Sequence, residues 1–143
     1  MLATVLLIDD EHGFVDTMSK RLSKRSLTVH TAYSGQDGLE YLAENSAIDV
    51  VVLDVKMPGI NGIDVLKIIK TEHPLVEVIM LTGHATVESA IDGMKNGAFD
   101  YMLKPCEMEE LLAKIKDAYL KKQSQETKIY EARARHIELR RGD

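Results

Sequence analysis

The chain has 143 residues, enough for one domain with a real hydrophobic core, and its 45% apolar and 29% charged composition excludes an intrinsically disordered chain. No apolar run approaches the ~18 residues of a membrane span, the start MLATVLLIDDEHG has no basic region of a secretory leader, and the single Cys106 cannot form an internal disulfide, so a cytoplasmic protein is expected. The net charge of −5 is uneven, with 19 Asp+Glu against 11 Lys+Arg in residues 1–120 and 4 against 7 in residues 121–143, so the acidic body predicts no direct contact with nucleic acid and none with a membrane.

Five β-branched-rich apolar stretches read as strands: Thr4–Ile8, Leu27–Ala32, Val50–Leu53, Val76–Leu81 and Tyr101–Leu103. Helical periodicity fills the gaps. Phe14, Met18 and Leu22 mark a first helix, and Leu39 and Leu42 a second with Ser34 as its N-cap. Ile63 and Leu66 mark a third entered through Asn61-Gly62, and Val87, Ala90, Ile91 and Met94 a fourth that stops at Asn96-Gly97. A fifth begins after Pro105 with Met108, Leu111, Leu112, Ile115 and Tyr119. Strand and helix thus alternate five times, which predicts an α/β fold, a doubly wound parallel sheet with helices on both faces. The unbroken apolar character of the third and fourth strands agrees, since parallel strands are covered on both sides.

Residues 121–143, KKQSQETKIYEARARHIELRRGD, are polar and free of proline. They predict an extension of the fifth helix, with Glu131 and Arg135 as an i,i+4 pair, reaching about 30 Å beyond a body of residues 1–120. A heptad seam there is poor, with Ile129, Tyr130 and Ile137 as its only sizeable anchors, so a solvated tail and a partner-contacting or dimerising helix both stand.

Ligands of open parallel sheets bind beyond the carboxyl ends of the strands. Here those ends read Asp9-Asp10-Glu11, Asp54, Thr82-Gly83 and Lys104-Pro105; only the second strand offers nothing comparable. Asp9 or Asp10 could instead cap the first helix, but four polar endings at equivalent positions point to a site. Carboxylates converging there would repel by up to ~4 kcal/mol per pair at 4 Å and an effective dielectric near 20, and so call for a cation. With oxygen donors and no His/Cys cluster, Mg²⁺ is the expected ion. An acid, a metal site, a hydroxyl and an ammonium around one point describe phosphoryl transfer to a carboxylate nucleophile.

The segments LLIDDE (6–11), LDVKMPGINGIDVL (53–66), IMLTGH (79–84) and YMLKP (101–105) together resemble the receiver domains of two-component response regulators, across residues 3 to about 120. The stretch LTGHATVESAIDGMKNGAFDYMLKP resembles receivers of NtrC-type regulators in particular. The resemblance implies a flavodoxin-like sheet of order 2-1-3-4-5. It implies Asp54 as phosphoacceptor, Mg²⁺ held by Asp10, Asp9, Asp54 and the Lys56 carbonyl, and Thr82 and Lys104 on the phosphoryl group. Tyr101 would be the switch aromatic coupled to Thr82, and Lys104–Pro105 a cis peptide. Met57-Pro58-Gly59 would turn the chain so that the Lys56 carbonyl faces the ion, and Lys56 and His84 would flank the line of attack.

Such a protein is a signalling switch rather than an enzyme with an external substrate, although it would catalyse its own phosphorylation and dephosphorylation. A haloacid-dehalogenase-type phosphatase would want an acid two residues after Asp54, where Lys56 stands, and no strand is followed by a glycine-rich nucleotide loop. The implied partners are a sensor histidine kinase or phosphotransfer protein and, through the face of fourth helix, fifth strand and fifth helix, a downstream effector or an attached output domain. A phosphorylation-dependent homodimer is also open. A free-standing receiver is the favoured reading over the N-terminal part of a longer regulator. Cys106 reads as a small packed residue, and His12, His30, His73 and His136 as ordinary surface or helix residues.

Overall fold

The computed structural model describes residues 2–141; Gly142 and Asp143, at the end of the expected helical extension, lie outside the described residues. Ten elements alternate: β1 (Thr4–Ile8), α1 (His12–Ser23), β2 (Thr28–Ala32), α2 (Gly35–Glu44), β3 (Val50–Leu53), α3 (Gly62–Glu72), β4 (Glu77–Thr82), α4 (Val87–Lys95), β5 (Asp100–Leu103) and α5 (Met108–Arg141). The five strands form one parallel sheet in the order β2-β1-β3-β4-β5. The fold class and strand order are those expected.

Period-two alternation assigns each strand residue to a face. Val5, Leu7, Val50, Val52, Ile79 and Leu81 pack against Val15, Met18 and Leu22 of α1 and Leu111, Ile115 and Ala118 of α5. Leu6, Ile8, Val51, Leu53, Val78 and Met80 pack against Leu42 of α2 and Val65, Leu66 and Ile69 of α3. Each fully buried Leu or Ile contributes about 1.5–3 kcal/mol, so this double core is what holds the strand tips rigid.

Strand boundaries differ from the expected ones by single residues. β4 runs Glu77–Thr82 rather than 76–81, because the buried Glu77 is neutralised by Lys70 at 3.5 Å and Lys121 at 3.3 Å. The helix starts obey local chemistry: Ser34 Oγ accepts the Asp37 N–H at 3.1 Å, and Asn61 Oδ1 accepts the Asp64 N–H at 3.0 Å.

Two helices carry features that their sequence pattern does not show. α4 has apolar periodicity, yet among its residues only Gly93 is buried, while Val87, Ile91 and Met94 are exposed. Leu103 of the edge strand β5 is exposed as well. α5 continues past residue 120 without a break, and Lys121 and Lys122 still grip the lower edge of the sheet through Glu77 and Asp49. Further along, among the described residues, no ion pair joins Glu131 to Arg135. No helix of the described residues is long and apolar enough to cross a membrane.

Candidate functional site

Parallel winding brings the carboxyl ends of β1, β3, β4 and β5 to one edge, and the polar residues that end them meet there. Asp54 follows β3 and is 2% exposed; its Oδ1 accepts the Val55 N–H at 2.8 Å. The loop after it is pressed against its backbone: Gly62 N–H donates to the Val55 carbonyl at 2.7 Å, and a Cβ on Gly62 would lie 2.0 Å from the Asp54 carbonyl oxygen. Only glycine permits that approach. Gly59, at φ +80°, makes the preceding turn after Pro58.

Asp9, Glu11 and Asp54 each offer a carboxylate oxygen within 4.8 Å of the others. Asp10, expected as a direct metal ligand, is not in that trio. It lines the adjoining cleft of about 470 Å³ with Glu11, Lys56, Met57, Pro58 and His84. Neither Asp9 nor Asp10 caps α1: the N-cap is Glu11, without a side-chain cap bond, and Asp9 Oδ1 accepts the Glu11 N–H at 3.0 Å. That bond folds Glu11 back over the site, which the sequence pattern alone does not disclose.

Lys104 enters from the end of β5. Its Nζ lies 2.6 Å from Asp9 Oδ2, 3.4 Å from Glu11 Oε1 and 3.9 Å from Asp54 Oδ2. The Lys104–Pro105 peptide is cis. Phe14 of α1, legible in sequence only as a marker of that helix, sits with its ring centroid 4.1 Å from the ammonium and covers it.

The electrostatics are those of an acid-rich pocket short of positive charge. Burial would depress the Lys104 ammonium, but its hydrogen bond and charge pairing with Asp9, helped by Asp54 and Glu11, raise it above its ordinary value. A salt-bridged acid should move down, yet Asp9 moves up: burial dominates, and the Asp54 charge adds to it, against the opposing pull of Lys104 and the Glu11 N–H. One ammonium does not compensate three carboxylates. The donor set is oxygen only, which suits a hard divalent cation such as Mg²⁺.

Thr82 ends β4 fully buried, and its Oγ1 accepts the His84 N–H at 3.1 Å. Tyr101 is half-buried on β5, beneath α4, with its hydroxyl 2.6 Å from Ser89 Oγ. His84 and Lys56 line both the cleft over the acids and a second one of about 400 Å³ toward α3 and α4. Of the remaining histidines, His12 stacks on Tyr33 at 3.9 Å between ring centroids, His30 lies in β2 and bonds Tyr41 at 2.6 Å, and His73 is the C-cap of α3; none joins the acids. Burial, with the Glu110 charge, pushes the Cys106 thiol up, which keeps it protonated.

The family model described as response regulator receiver domain matches residues 5–116. Over 122 residues the chain is 34% identical to the DNA-binding transcriptional regulator NtrC of Escherichia coli (strain K12), covering 85% of this chain and 26% of that protein. It is 36% identical over 112 residues to the regulatory protein VanR of Enterococcus faecium, covering 78% and 48% respectively. The crystal structure of a response regulator receiver domain protein from Clostridium thermocellum aligns with a TM-score of 0.82 at 40% identity, over 86% of this chain and 98% of that one. The chain spans about a quarter of the length of the NtrC relative.

Proposed function

The chain belongs to the response regulator receiver domain family, and on that premise we propose that Asp54 is the residue that accepts the phosphoryl group. The observation that carries this reading is the ammonium of Lys104 set among Asp9, Glu11 and Asp54, at the carboxyl edge of a parallel sheet. A carboxylate oxygen of Asp54 attacks phosphorus, the bond from phosphorus to the donor breaks, and the donor leaves with the electron pair. The product is an acyl phosphate on Asp54.

Asp9, Asp54 and Glu11, with Asp10 and the Lys56 carbonyl from the adjoining cleft, are the groups that would hold Mg²⁺. When bound, Mg²⁺ supplies the positive charge that lets an anionic phosphoryl group approach anionic Asp54. Lys104, freed from part of its pairing to Asp9, turns to a phosphoryl oxygen, and the Thr82 hydroxyl donates to another. Gly83 leaves that approach open: nothing lies within 4 Å of where its Cβ would be. Self-catalysed loss of the phosphoryl group would proceed by water entering beside Lys56 and His84.

The donor would be a sensor histidine kinase, a phosphotransfer protein or a small acyl phosphate. The exposed Val87, Ile91, Met94 and Leu103 mark the surface we assign to the output, toward an effector protein, an attached output domain or a second copy. Residues 121–143 would then be a helical extension or linker beyond a receiver of residues 1–120. The test is labelling with radioactive acetyl phosphate. Mg²⁺-dependent incorporation that vanishes in Asp54→Asn is expected; undiminished labelling of that variant would overturn the assignment.

A further inference from the structure

Ser89, in the first turn of α4, holds more polar neighbours than one hydroxyl can serve. Its Oγ lies 3.1 Å from each of Thr86 N, Thr86 Oγ1 and the Thr86 carbonyl, and 2.6 Å from the Tyr101 hydroxyl. A serine hydroxyl donates once and accepts twice. The Thr86 carbonyl can only accept, so we assign it the Ser89 proton, and one lone pair takes the Thr86 N–H. The last lone pair is claimed by two hydroxyl donors, Tyr101 and Thr86, and the shorter contact belongs to Tyr101.

Thr82 and Thr86 sit at opposite ends of a short mechanical link. Only Gly83, His84 and Ala85 separate Thr82, whose Oγ1 accepts the His84 N–H, from Thr86, the N-cap of α4 that accepts the Ser89 N–H at 3.0 Å. A displacement of Thr82 toward Asp54 therefore pulls on Thr86. The Tyr101 ring packs under Gly93, where an added Cβ would lie 3.4 Å from its Cδ2, and Gly93 is the one buried residue of α4. Its hydroxyl thus ties the start of α4 to β5.

We infer that Ser89 is a positioning residue for Tyr101: its contested lone pair latches the ring in the position seen here, and the Thr86 hydroxyl takes that lone pair when the ring leaves. The exchange keeps α4 capped in both arrangements, so switching forfeits one hydrogen bond's difference rather than a helix cap. The inference deepens the reading of Asp54 as phosphoacceptor and rests on it. A ligand of the switched state binds more tightly when the latch of the resting state is removed, by the factor that the latch contributed.

The experiment is the affinity for beryllofluoride with Mg²⁺, read by fluorine NMR on the full chain. Tyr101→Phe and Ser89→Ala should each bind roughly two- to tenfold more tightly, the range of one net hydrogen bond. The double variant should gain nothing beyond either single one. Thr86→Ala weakens the same cap but spares the latch, and should not tighten binding. Unchanged or weaker binding in Tyr101→Phe, additive gains in the double variant, or an equal gain in Thr86→Ala would overturn the latch.

Carbon NMR of the Tyr101 ring without beryllofluoride should also show new microsecond-to-millisecond exchange in Ser89→Ala. An unchanged ring would overturn the latch without reference to phosphoryl chemistry. Wild-type binding that persists in Asp54→Asn would instead count against the acceptor.

Discussion

Lys104 Nζ sits 2.6 Å from Asp9 Oδ2 and 3.9 Å from Asp54 Oδ2, so this ammonium is committed first to an acid other than the proposed phosphoacceptor. The pairing joins residues 95 positions apart. It stores the cation where the carboxylates most repel, close enough to Asp54 to turn.

Replacing Lys104 by Met should therefore have two opposite effects. Folding stability without Mg²⁺ should fall by about 3 kcal/mol, because a buried acid loses its partner. Mg²⁺ affinity should rise on the order of tenfold, because a positive charge within 4 Å of the carboxylates is gone. Thermal unfolding and Mg²⁺ titration check the two separately, and a fall in Mg²⁺ affinity would contradict the arrangement.

Asp54→Asn keeps the carbonyl that accepts the Val55 N–H and removes a buried charge near Asp9. The variant should be more stable than the wild type by about 1 kcal/mol without Mg²⁺, and should lose most of the stabilisation that Mg²⁺ adds. Melting curves with and without the ion measure both.

The raised pKa of Asp9 gives the acid side of the stability curve a sign. Between its ordinary value of 3.8 and its higher folded value the native state binds more protons than the unfolded one. Stability from this group is thus greatest below that window and falls as pH rises through it. Asp9→Asn should flatten that fall in metal-free denaturant titrations across the window. Lys104 and Lys122, both raised above 10.5, act in the opposite range. Their stabilisation is complete below 10.5 and lost as pH climbs through the folded values.

Gly62→Ala should cost about 2–3 kcal/mol, since the new methyl would meet Asp54 backbone rather than a yielding side chain. The strain falls on the proposed phosphoacceptor, so the rate of labelling by acetyl phosphate should fall in the fraction that remains folded.

Lys122 is buried between Asp49 and Glu126, and Asp49 also accepts the Thr4 N–H at 2.8 Å. Lys122→Ala should destabilise the chain by about 3 kcal/mol and raise amide exchange through residues 120–130, as α5 loses its hold on the sheet edge. Protection unchanged in that segment would show that the helix is held by the core alone.

Short-range rules carried much of this molecule. Val50–Leu53 is continuously apolar because both faces of β3 are covered, and the alternation of such runs with helical periods specifies the wound sheet. Ser34 and Asn61 announce their helices because a cap is a bond between residues three apart. The strand-tip positions of Asp9, Asp54, Thr82 and Lys104 are legible for the same reason, since a strand's end shows in its own residues.

What the sequence did not disclose depends on side chains that meet from different elements. That Glu11 joins Asp9 and Asp54 is decided by the turn after β1, where Asp9 accepts the Glu11 N–H. The apolar stripe of α4 marks a helix in the sequence, but its exposure shows only in the fold: β5 ends the sheet, and among the described residues no further element covers the stripe. Phe14 over Lys104, Ser89 against Tyr101 and Lys122 in Asp49 have no sequence signal, since hydropathy and spacing report a residue's own surroundings only as far as one turn or one strand. The local period determined the fold and the edge at which the chemistry collects; three-dimensional packing alone decided the charge balance there and the contacts that tie it to the surface of α4.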